Sequence, residues 1–134
     1  MSFELCDHTA DIAVEATGET LAATFESVAD GLTATHCESV PAGGTRFSLA
    51  VEAEPIEALL FDYLDELIYQ RDVRAVLPCE HSVTMAGGTG RLEASARGVD
   101  LSSVTAREIK AVTYSEMALD RTPTGWRAYV VFDV

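Results

Sequence analysis

Lysine is nearly absent from this chain. Lys110 is the only one, and together with the arginines it makes nine cations against 22 Asp and Glu, a formal net charge of −13 across 134 residues. So few cations cannot form the basic stripe that phosphate backbones require, so direct nucleic-acid binding is not expected and any RNA role has to pass through a partner. Cysteine is also scarce: Cys6, Cys37 and Cys79 are far apart and odd in number, which suggests neither a disulfide framework nor a paired-cysteine zinc site. No apolar run approaches the 18 or so residues of a membrane span, and no basic stretch leads into an apolar one near the start. A soluble, cytoplasmic protein with no membrane partner is the expectation. An acid-rich, lysine-poor surface stays hydrated at multimolar salt, where the screening length shrinks to about 3 Å, so a salt-rich cytosol is expected too.

The length suits one domain, 1–134, and 48% hydrophobic residues suffice for a real core. Residues 3–6 read as a strand, followed by the polar cluster Asp7-His8-Thr9-Ala10-Asp11 and a second strand over 12–16. Thr20 is placed to cap a helix in which Leu21, Phe25, Val28, Ala29 and Leu32 recur at helical spacing up to about Thr35. His36 and Cys37 invite a metal reading, but no second pair lies near them in sequence. A strand over 46–53 places Phe47, Leu49 and Val51 on one face. Pro55 suits the first position of a second helix, whose stripe runs Ile56, Leu59, Leu60, Tyr63, Leu64, Leu67, Ile68. Its acids, Glu57, Asp62, Asp65 and Glu66, form a solvated face. Stretches 73–86 and 91–98 are extended and can pair across Gly87-Gly88-Thr89-Gly90, which lacks the lysine and following helix of a phosphate loop. Strands over 109–118 and 126–134, with a turn at 121–125, complete an α+β domain: mostly antiparallel sheet, mixed in strand order, with two main helices packed against it.

Three places carry candidate chemistry. The 7–11 cluster, at the mouth of a strand, either caps backbone groups or holds a ligand. Lys110 has either a specific task or a neutralising ion pair. At the other end, Asp133 and the α-carboxylate of Val134 lie side by side. If the last strand pairs near the mouth of the second, Asp11 meets both. Three hard oxygen donors with no soft ligand suit calcium or magnesium rather than zinc, and leave about half of a six- to eight-oxygen calcium shell to water, main-chain carbonyls or a partner.

DHTAD at 7–11, LAATFESVADGL at 21–32, EALLFDYLDELIY at 57–69, IKAVTY at 109–114 and the final FDV together resemble the archease family, in order and over nearly the whole chain. The resemblance implies a small α+β protein that is not an enzyme. It assists a GTP-dependent tRNA-splicing RNA ligase by promoting guanylylation and multiple turnover, and a tRNA methyltransferase is a further partner proposed for the family. It also implies a divalent-metal site of Asp11, Asp133 and Val134, with Lys110 as a functional lysine; beside such a site His8 would orient Asp11. The family commonly has histidine where this chain has Ser115, so any metal or proton delivery by that histidine is in doubt here; Glu116 is a nearby oxygen donor. Two other readings compete. In one, Asp7, His8 and Asp11 make a small hydrolase, which lacks a nucleophile elbow and sets three near neighbours on an extended segment that cannot all face one pocket. In the other, the protein is a chaperone-like helper of RNA-modification enzymes.

Overall fold

The computed structural model describes residues 2–8, 11–85 and 90–134, and for residues 2 and 5–8 the description is of the backbone. The chain runs β1 (Ser2–His8), β2 (Asp11–Gly18), α1 (Leu21–His36), β3 (Thr45–Glu52), α2 (Ile56–Arg74), β4 (Val76–Met85), β5 (Arg91–Asp100), β6 (Ala111–Thr122) and β7 (Gly125–Asp133). The strands divide into a four-stranded sheet, β1-β2-β7-β6, and a three-stranded sheet, β3-β5-β4. Every pairing is antiparallel. The α+β architecture expected from the sequence is present. Its split into two sheets is something periodicity does not carry.

Each helix packs against both sheets: α1 lies on β2 and β7 of the first and β4 of the second, while α2 lies on β6 and on β3, β4 and β5. One apolar core therefore joins Val14, Val112, Val130 and Phe132 of the larger sheet to Val83 and Leu92 of the smaller through Phe25, Val28, Leu60 and Leu64 of the helices. Of the seven stripe positions, Leu59, Leu60, Tyr63, Leu64, Leu67 and Ile68 are buried, as the helical spacing predicts, and Ile56 at the helix start is half-buried. Arg71 continues that stripe and is buried with it.

Local chemistry sets the element ends. The Thr20 side chain accepts from the Ala23 N–H at 3.0 Å and caps α1. Pro55 is the residue flanking α2 rather than its first helical position, and Glu57 supplies the negative charge of the first turn. The helix runs through Val73 and Arg74, which the sequence reading gives to a strand. Arg71 and Arg74 suit the last turn of a helix, and the chain leaves it only at Ala75, whose left-handed φ of 54° is unannounced because it is not glycine. β4 and β5 pair as the hairpin reading expects, and Gly87, Gly88 and Thr89 of the tip lie outside the described residues. β6 starts later than expected, at Ala111, and extends to Thr122, so the turn narrows to Pro123 and Thr124. No helix among the described residues is long and apolar enough to cross a membrane.

Candidate functional site

The end of the larger sheet gathers segments that are far apart in sequence. Asp11 is the register partner of Asp133, His8 of Asp11, and Ala111 of Asp133, so one lateral row crosses all four strands. Asp11 opens β2 and Asp133 closes β7, with Val134 directly after it. Residues directly opposite in an antiparallel pair have Cβ atoms about 4.5–5.5 Å apart on the same face, so two carboxylates stand together here. The Lys110 N–H donates to the Asp133 carbonyl at 2.9 Å and ties the strand entering β6 to the same end. The Lys110 side chain is exposed and has no ion-pair partner among the described residues. Side chains of Asp7 and His8 lie outside the described residues. Among the described residues no group of three or more His, Cys, Asp or Glu gathers as a metal-binding set.

Beyond Thr113 the β6 strand leaves the ladder. Thr113 pairs with Val131 and Ala118 with Tyr129, so four residues, 114–117, stand opposite Val130 alone. Glu116 turns the bulge with φ of 59°, the Ser115 N–H donates to Thr113 Oγ1 at 2.8 Å, and Tyr114 stacks on Phe61 of α2 at 4.1 Å. The position where the family commonly has histidine is thus displayed on an exposed bulge. Nothing in the sequence signals it, because no glycine marks the turn.

His36 and Cys37 have structural partners. Arg71 Nη1 donates to His36 Nε2 at 2.8 Å, which leaves Nδ1 to carry the ring proton and donate to the Leu32 carbonyl at 3.1 Å. Burial, and then the Arg71 charge, push the His36 pKa down to about 4, so the ring is neutral. Cys37 Sγ donates to the Ser39 carbonyl at 3.2 Å. On the far side of His36 its carbonyl accepts the Arg107 N–H at 2.6 Å, which straps the segment before β6 to the C-terminal end of α1. Sequence reading passed over Arg71 and Arg107. A charge at a core position of the α2 stripe was the available signal for the first.

Comparison with known proteins bears on family and fold. The model of the Archease protein family matches residues 3–134. Protein archease from Methanosarcina barkeri is 33% identical over 139 residues, covering 98% of this chain and 95% of the relative, and that from Pyrococcus furiosus is 31% identical over 140, covering 98% of each. The solution structure of Methanobacterium thermoautotrophicum protein 1598 superposes with a TM-score of 0.86 at 26% identity, covering 98% of both chains. The crystal structure of an archease, described as a possible chaperone, from Thermotoga maritima has the same fold, with a TM-score of 0.71 at 24% identity, covering 98% of this chain and 96% of that one. With nearly the whole length matched by family, relatives and fold alike, this chain belongs to the archease family.

Proposed function

We propose that this protein is a non-enzymatic, cytosolic accessory factor that activates a GTP-dependent tRNA-splicing RNA ligase, promoting its guanylylation and its multiple turnover. Asp11, Asp133 and a main-chain oxygen of Val134 hold a divalent cation, calcium ahead of magnesium or manganese, and His8 orients the Asp11 carboxylate. Lys110 faces the ligase or its nucleotide. The observation that supports this reading most is the register pairing of Asp11 with Asp133, which brings two carboxylates from opposite ends of the chain onto one face. The donor chemistry fits: like charges directly opposite across a ladder destabilise it, and a hard cation with oxygen ligands relieves that repulsion. Two carboxylates cannot complete a shell of six to eight oxygens, so the cation has positions left for groups brought by the partner.

The test is ligation of cleaved tRNA halves by the cognate ligase under multiple-turnover conditions. Substoichiometric wild-type protein is expected to sustain turnover and Asp133→Ala to fail with its fold intact; equal turnover by the two removes the carboxylates from the mechanism. A second reading, a chaperone-like modulator of RNA-modification enzymes such as a tRNA methyltransferase, draws on the exposed Tyr69, Val73 and Tyr114, all more than half accessible, and on the description of the Thermotoga maritima archease. Stable capture of several unrelated modification enzymes in place of the ligase would favour it.

A further inference from the structure

The middle of α1 carries two acids that no cation neutralises. Glu26 and Asp30 lie one helical turn apart, and like charges at that spacing destabilise a helix. Both are half-buried, and neither has an ion-pair partner among the described residues. One oxygen of Glu26, Oε2, accepts the Val83 N–H of β4 at 2.8 Å, which leaves Oε1 over. Burial, and then the Glu26 charge, raise the Asp30 pKa to about 6.

Behind this pair stands a second unsatisfied group. Tyr63 of α2 stacks on Phe25, the residue before Glu26, with ring centroids 6.2 Å apart. The residue is wholly buried, and its hydroxyl has no hydrogen-bond partner among the described residues. After burial itself, the Asp30 charge and then the Glu26 charge act on the phenol, so its hydroxyl is directed toward those two carboxylates while lying beyond hydrogen-bond reach of either. Buried polar groups in folded proteins nearly always have a partner, and an orphan calls for one. A bridging water would serve the hydroxyl and leave the carboxylates repelling each other. A cation serves all three groups at once.

The donors are hard oxygens with no sulfur or imidazole among them, which suits calcium or magnesium rather than zinc. Two carboxylates match a divalent charge. A phenol from one helix and two acids from another make an irregular set, better suited to calcium's flexible shell than to the strict octahedron of magnesium. On the solvent side, the half-buried carboxylates leave room for the remaining ligands to be water.

We propose that Glu26, Asp30 and the Tyr63 hydroxyl hold a single calcium ion, a structural cation that clamps α1 to α2 and, through Glu26, to β4. This site shares no residue with the Asp11–Asp133 pair and stands whether or not that pair binds metal.

Isothermal titration calorimetry with calcium chloride tests this, on protein carrying Asp11→Asn and Asp133→Asn so that those carboxylates contribute nothing. A single calcium is expected to bind each chain, and Asp30→Asn, Glu26→Gln or Tyr63→Phe, each added to that background, to weaken it by about tenfold or more. Asp30→Asn relieves the same repulsion without a metal, and Tyr63→Phe removes only an unpartnered hydroxyl, so both are expected to keep the circular dichroism spectrum of the parent. Terbium in place of calcium locates the ion: luminescence excited through tyrosine is expected in the parent, to be displaced by calcium, and to fall sharply in Tyr63→Phe. No calcium binding, or equal binding by the parent and Asp30→Asn, overturns the proposal. Calcium affinity unchanged by Tyr63→Phe overturns it too, because the hydroxyl then holds a water and the acids bind as an open surface pair.

Discussion

Asp30 shows how one half-buried acid strains an otherwise well-satisfied helix. Burial first, and the neighbouring Glu26 charge second, raise its pKa from 3.8 to about 6. Glu26 is engaged, accepting the Val83 N–H at 2.8 Å where β4 resumes after its irregular stretch, whereas no hydrogen bond to Asp30 is found among the described residues. The Tyr63 hydroxyl, fully buried, has no partner among the described residues, and burial followed by the Asp30 and Glu26 charges raises its pKa. Because the folded state binds the Asp30 proton more tightly than the unfolded chain does, this residue's contribution is full below about pH 4 and is lost as pH rises through 6. Asp30→Asn is therefore predicted to stabilise the protein at pH 7.5 by about 1 kcal/mol after discounting for its half-exposed position, roughly 3–5 °C in melting temperature. Near pH 4 it should change little; equal effects at both pH values would show that burial of the charge is not the cause.

At the level of elements, α1 sits so close to β2 that Gly31 has no room for a side chain. A Cβ there would meet Val14 Cγ1 at 2.5 Å, and Val14 is itself fully buried and β-branched. Gly31→Ala, which favours helix by propensity, is predicted to lose about 1–3 kcal/mol in urea unfolding because overpacking exceeds the propensity gain. A stabilised variant would mean that the α1–β2 contact yields easily. The elements themselves were largely legible: capping by Thr20, the α2 stripe and the alternation of Phe47, Leu49 and Val51 are local signals, and local signals are what a sequence displays. The pairing of β2 with β7 could be supposed from the carboxylates at their ends but not read, since strand partners are set by tertiary packing. The β6 bulge, the left-handed Ala75 and the Arg71–His36 contact lay beyond reach for the same reason: each is imposed on ordinary residues by what surrounds them.

At the scale of the whole molecule, charge dominates. Thirteen acids in excess repel one another in dilute buffer, so melting temperature is predicted to climb steadily from low salt to multimolar potassium chloride, followed by far-UV circular dichroism. Complete folding without added salt, at an unchanged melting temperature, would contradict that. The same screening at multimolar salt would remove long-range steering, so the ligase docking proposed above would rely on shape and on short-range contacts. Single-turnover guanylylation of the cognate ligase, at high salt with GTP and a divalent metal, measures that role most directly. Acceleration by the wild-type protein that disappears with Asp11→Ala is the predicted result; a ligase equally fast with either protein, or with none, would contradict it.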